Sequence, residues 1–167
     1  MPAQIMLIDS HADDLRATSR ILSHGGFTVI EATSGKKALR QIEAMPGEID
    51  MVILAVALEE LNGYEVCRSL RRNPDTMHLP ILTLTASRHK DHNVGVIDAG
   101  ADDCMSKPCK PSELLVRVKA QLRCSRWQRP TATQLRRDEN LRRLFIARRR
   151  GRDHLGGESL RQPGTMV

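Results

Sequence analysis

The side chains able to do chemistry gather at the ends of four short segments, three of them apolar runs, in this 167-residue chain. Asp9, Ser10 and His11 follow Ile5-Met6-Leu7-Ile8. Ala55 lies at the end of Met51-Val52-Ile53-Leu54. Thr85 closes Pro80–Leu84, and Lys107 follows Asp102–Ser106. Together they offer a carboxylate, two hydroxyls, an imidazole and an ammonium. Asp9 and Lys107 carry opposite charges and could pair. No sequence feature makes Ser10 or Thr85 a nucleophile. His11 suggests metal binding or phosphotransfer, although a single surface histidine is more often simply solvated. Cys67, Cys104, Cys109 and Cys124 form no Cys-x-x-Cys pair, and their spacing does not suit tetrahedral zinc. They read as the reduced thiols of a cytoplasmic protein.

The remaining candidates are arginines. Residues 1–124 hold 15 Lys+Arg against 16 Asp+Glu, a balance of −1. Residues 125–167 hold 11 arginines, no lysine and 4 acids, a balance of +7, so the whole excess of +6 belongs to this extension. The break falls near Cys124, with Trp127 and Pro130 at the junction. Aromatics make up 2% of the chain, which argues against a stacking platform for single-stranded nucleic acid. Neither a signal peptide nor an apolar run of about 18 residues is present, so no membrane span is expected.

The elements that must position these residues alternate in type. Ile5–Ile8 reads as a strand covered on both faces. A helix over 13–24 stops at Gly25-Gly26. Phe27–Ile30 reads as a second strand. Ser34 can cap a helix through Leu39 and Ile42 that breaks at Pro46-Gly47. Met51–Val56 is the most apolar run and hence a central strand. Asn62-Gly63 reads as a turn, followed by Tyr64, Val66, Cys67 and Leu70 at helical spacing. Pro80–Thr85 is a fourth strand, 88–99 a weaker helix, and Asp102–Ser106 a fifth strand. Pro111 opens a last helix with Leu114, Leu115, Val118 and Leu122 on one face. Strands alternating with helices predict an α/β fold, a doubly wound five-stranded parallel sheet of order 2-1-3-4-5 with five helices. Ligands in such sheets gather at the carboxyl ends of the strands, here Asp9-Ser10, Ala55, Thr85 and Lys107.

Over residues 4–124 this flavodoxin-like arrangement resembles the receiver domain of bacterial two-component response regulators. Ile8-Asp9, Asn62-Gly63-Tyr64-Glu65-Val66-Cys67, Leu84-Thr85-Ala86, Ala99-Gly100-Ala101-Asp102-Asp103 and Ser106-Lys107-Pro108 carry the resemblance. It implies phosphoryl transfer from a histidine kinase to an aspartate ending the third strand. Two acids after the first strand would hold Mg²⁺, and a hydroxyl and a lysine would bind the phosphoryl oxygens. Asp9 matches one acid, Thr85 the hydroxyl and Lys107 the lysine. Ser10 stands where the second acid belongs, Ala55 at the phospho-acceptor and Cys104 at the switch aromatic. Glu59 and Glu60 stand near the family's usual Pro-Gly. The Lys107-Pro108 bond resembles the family's cis peptide.

These departures imply a pseudo-receiver with no catalytic residue. Asp9 alone is a weak cation site, so Mg²⁺ is expected to be lost or weakly held, with no other cofactor. The resemblance implies partner binding by the fourth helix, fifth strand and fifth helix. The partner would be a histidine kinase, another regulator, an effector or a second copy of the chain. The extension is expected to form a helix over about 131–150, capped by Thr131 or Thr133 and ended by Gly151, with 151–167 disordered. It can extend a signalling or dimerising helix, stay solvated, or contact nucleic acid or another anionic surface. In the last case Arg136, Arg137, Arg142, Arg143, Arg148, Arg149 and Arg150 would supply the contacts. Two alternatives to the pseudo-receiver remain: a nucleic-acid-binding adaptor, and phosphorylation at an unconventional residue.

Overall fold

A computed structural model of the chain describes residues 1–86 and 95–128, the last three by backbone alone. Five parallel strands form one sheet: β1 (Gln4–Ile8), β2 (Thr28–Ala32), β3 (Met51–Ala55), β4 (Ile81–Thr85) and β5 (Asp103–Ser106). Their order is β2-β1-β3-β4-β5. Four helices are described in full: α1 (Ala12–His24), α2 (Gly35–Ala44), α3 (Gly63–Arg72) and α5 (Pro111–Gln128). Of α4, residues 95–98 are described.

The sheet is sandwiched because its central strands are apolar on both faces. Every residue of β3 is buried, as is every residue of β4, which continuous rather than alternating hydrophobicity requires. Met6, Ile8, Val52, Leu54 and Ile81 pack on one side with Ala38 and Ile42 of α2, Val66 and Leu70 of α3, and Val96 of α4. Ile5, Leu7, Met51, Ile53, Leu82 and Leu84 pack on the other with Leu15 and Leu22 of α1 and Leu114 and Val118 of α5. Connections therefore leave β1 and β3 toward opposite faces and open a crevice between their carboxyl ends.

Several boundaries shift from the sequence reading. β2 begins at Thr28, because the Phe27 amide closes α1 by bonding the Leu22 carbonyl at 3.2 Å. Asn62-Gly63 is a helix start rather than a free turn. Asn62 Oδ1 accepts the Glu65 amide at 3.0 Å, and Glu65 Oε2 accepts the Asn62 amide at 3.1 Å, a reciprocal capping box. Glycine is required at 63 by close approach: a Cβ there would lie 2.8 Å from the Ala55 carbonyl oxygen. α5 runs past the composition break at Cys124 to Gln128. Met1–Gln128 forms one compact unit. The expected helix over 131–150 and the disorder beyond it fall outside the described residues, as does most of the helix over 88–99. Among the described residues no helix is long and apolar enough to cross a membrane.

Candidate functional site

Register brings the candidate residues to one edge. Ile8 pairs with Leu54, Ala55 with Leu84 and Thr85 with Ser106. Asp9, Ala55, Thr85 and Lys107 therefore all lie at the carboxyl edge of the sheet. Asp9, Ala55 and Thr85 are buried, Ser10 is half-buried and the His11 side chain is exposed.

The structure joins Asp9 to Lys107: the Lys107 ammonium lies 2.5 Å from Asp9 Oδ2. The same ammonium donates to Asp14 Oδ2 at 3.0 Å. Asp9 is otherwise held by the backbone at the entry to α1, where its Oδ1 accepts the His11 amide at 3.0 Å. This local bond turns the chain out of β1. The Lys107 amide donates to the Thr85 carbonyl at 2.7 Å. The Lys107-Pro108 bond is cis.

Burial pushes the Lys107 ammonium down, but hydrogen bonds to Asp9 and then to Asp14 outweigh it, so its pKa lies above the ordinary lysine value. Burial also raises the half-buried Cys109 thiol, against the opposing charge of Lys107.

Sequence reasoning missed Asp14. It lies in the first turn of α1, where an acid also suits the helix dipole. The acidic pair Asp13-Asp14 soon after Asp9 was the available signal, but the direction of the helix had to be known. Asp13 points elsewhere and pairs with Arg16 at 2.6 Å.

Asp9, His11 and Asp14 each offer a ligand atom, all within 4.8 Å of one another. The fit to Mg²⁺ is poor, because that ion requires near-octahedral oxygen ligation. Here one donor is an imidazole, and both carboxylates already share the Lys107 ammonium. Ala55, at the end of β3, has no side-chain oxygen to add to the set.

Cys104 is half-buried on β5. Its amide donates to Asp103 Oδ1 at 2.8 Å, and the Asp103 carboxylate is clamped by Arg117 at 2.8 Å. Glu60 adopts φ +64 and pairs with Lys36 at 3.3 Å; it stands near the resemblance's Pro-Gly, in backbone that favours glycine. The seven arginines proposed for anion contact, Arg136 to Arg150, lie outside the described residues.

The response regulator receiver domain family matches residues 5–119. The chain belongs to that family. As a receiver domain it is 41% identical over 123 residues to response regulator MprA of Mycolicibacterium vanbaalenii, covering 74% of this chain and 52% of MprA. It is 35% identical over 139 residues to the alkaline phosphatase synthesis transcriptional regulatory protein PhoP of Bacillus subtilis, covering 83% of this chain and 56% of PhoP. The chain thus spans about half the length of these curated relatives.

Among solved structures, a Chloroflexus aurantiacus protein described as a response regulator is 34% identical with a TM-score of 0.70, covering 73% of this chain and 98% of its own. The receiver domain of a Syntrophus aciditrophicus signal transduction histidine kinase is 28% identical with a TM-score of 0.66, covering 72% and 89%. These matches make the chain a two-component receiver domain with the flavodoxin-like sheet expected from its sequence.

Proposed function

We propose that this receiver domain works by binding protein partners and does not accept a phosphoryl group at the end of β3. The observation carrying this reading is the Lys107 ammonium shared by Asp9 and Asp14 at the sheet edge where β3 ends in Ala55. Phosphoryl transfer to this edge needs a carboxylate nucleophile and a cation on the phosphoryl oxygens. Ala55 removes the nucleophile. The lysine meanwhile neutralises the carboxylates that would hold the metal. We propose that Mg²⁺ binding is correspondingly lost or weak, and that Cys104 uncouples the pocket from the partner face. A non-enzymatic signalling role is part of this proposal.

The partner would be a histidine kinase, another regulator, an effector or a second copy, docking on α4, β5 and α5. Ile97 on α4 is 46% exposed and Val116 on α5 is 66% exposed, apolar side chains that such a partner could cover. Among the described residues no helix is long and apolar enough to cross a membrane, and the proposed place of action is the cytoplasm.

The test is incubation with acetyl phosphate and Mg²⁺, read by intact mass. An unchanged mass is expected. A gain of one phosphoryl group would overturn the reading, and fragment masses would place it, including at Ser10 or Thr85. The +7 extension supports a second reading, an adaptor whose arginines contact nucleic acid. Its binding would fall steeply with salt and vanish on removing residues 125–167.

A further inference from the structure

Lys107 reaches from the end of β5 to the first turn of α1. Its ammonium meets Asp9 Oδ2 at 2.5 Å and Asp14 Oδ2 at 3.0 Å. The two carboxylates differ in kind. The Asp9 side chain is 2% exposed, whereas that of Asp14 is 49% exposed. A carboxylate as buried as Asp9 requires a compensating positive charge. The resemblance assigns that charge to Mg²⁺, which fits poorly here.

Three features make Lys107 the charge that serves instead. First, the ammonium is carried by the chain itself, so it competes with any free ion at a high effective concentration. Second, it is anchored at two points. Asp9 alone would leave a long lysine side chain free to swing out, and Asp14 holds it from the first turn of α1. Asp13, one residue earlier, is turned away to Arg16. Third, the ammonium and an entering ion need the same residues. Asp9, His11 and Asp14 bring a ligand atom each to within 4.8 Å of one another, and two of these three side chains are bonded to Lys107. Ion and ammonium therefore exclude each other.

We infer that Lys107 is a tethered counter-cation, an inhibitory contact that plugs the Asp9–His11–Asp14 cluster against divalent ions, and that Asp14 is its anchor. The same contact fastens the start of α1 to the segment that follows β5, so an ion enters only when this link opens. The inference rests on the reading that this edge accepts no phosphoryl group. Its test uses no phosphoryl donor, so either can fail alone.

Mn²⁺ is the probe, read as paramagnetic broadening in residue-resolved NMR of the full chain, because exposed acids and histidines elsewhere attract the ion too. Lys107→Gln keeps a donor for Asp9 and removes the charge. Residues 9–14 should then broaden at an Mn²⁺ concentration at least about tenfold lower than in the unaltered chain. Adding His11→Ala to Lys107→Gln should reverse part of that gain. Lysine labelling by acetic anhydride measures the plug without a metal. In the unaltered chain Lys107 should react more slowly than the exposed Lys36, Lys37 and Lys119, and Asp14→Asn should speed it. Equal Mn²⁺ affinity in Lys107→Gln and the unaltered chain would overturn the proposal. So would Lys107 labelling as fast as Lys36 in the unaltered chain, a result that holds even if Lys107→Gln does not fold. A Lys107 labelling rate unchanged by Asp14→Asn would remove Asp14 as the anchor.

Discussion

Two ionic clusters sit at opposite ends of the sheet, and they are built differently. At the carboxyl end, the Lys107 ammonium is held by two carboxylates, Asp9 and Asp14. At the amino end of β4, the Arg71 guanidinium is held mostly by backbone. Its Nε donates to the Gly100 carbonyl at 2.8 Å, and its Nη1 to those of Met77 at 2.9 Å and Leu79 at 2.6 Å. Its Nη2 meets Asp102 at 2.8 Å, and Asp102 in turn accepts the Ile81 amide at 2.8 Å. The arginine fork is a staple: it ties the α3–β4 connection to the start of β5 through several donors of one planar group. The lysine cluster gathers one ammonium and two carboxylates at the edge where β3 ends in Ala55. One end of the fold ties backbone segments together, and the other gathers charged side chains at the edge to which the proposed reading assigns no phosphoryl acceptor.

The strongest way to break that contrast is to give the lysine end its missing carboxylates. Ser10→Asp with Ala55→Asp places one acid beside Asp9 and another at the end of β3. Lys107 then has two more carboxylates nearby, and the metal gains oxygen ligands. Incubation with acetyl phosphate and Mg²⁺ should add one phosphoryl group to the double variant and none to the unaltered chain. An unmodified double variant would mean that Cys104 or the Glu59-Glu60 segment also blocks the chemistry.

Stability effects come next. Lys107→Met leaves the Asp9 carboxylate, 2% exposed, without its ammonium. Removing one partner of so buried a pair should cost about 3 kcal/mol at neutral pH. Urea unfolding checks this value. Arg71→Lys keeps the charge at the other end but loses the fork. It should cost about 2 kcal/mol by the same measurement. A wild-type-like unfolding midpoint in either variant would erase the distinction between the clusters.

The sheet was legible because buried parallel strands must be continuously apolar, and the runs at Ile5–Ile8, Met51–Leu54 and Ile81–Leu84 admit few other readings. The edge residues Asp9, Ala55, Thr85 and Lys107 followed from where those runs end. Asp14 did not, because its reach to Lys107 depends on the direction in which α1 leaves β1. That direction is set by the Asp9 contact with the His11 amide, which a linear pattern does not contain. Arg71 was hidden for a similar reason. Its partners are carbonyls of Met77, Leu79 and Gly100, and backbone groups leave no trace in residue type. Phe27 and Asn62 were misassigned because capping bonds across a few residues outrank local propensity.

Each cluster also has a cysteine beside it, which gives the smallest but most local test. Burial raises the Cys67 thiol from 9.0 to about 11, with the Arg71 charge opposing. Cys109 lies beside Lys107, and its thiol is raised by burial as well. A folded thiol held above its unfolded value stays neutral while the unfolded one ionises, so stability is lost as pH rises from about 9. Lys107, raised above 10.5 in the fold, contributes stability that is present below that value and lost as pH climbs through its folded pKa. Alkaline unfolding should therefore begin near pH 9 and steepen above it. Iodoacetamide at pH 8 should modify the exposed Cys124 first, Cys109 slowly and Cys67 only on global opening. In Lys107→Met the Cys109 thiol loses its nearest positive charge, so its modification from the native state should slow while Cys67 reacts faster through the weakened fold. Opposite movements of two thiols in one variant would separate local electrostatics from stability, which unfolding curves alone merge.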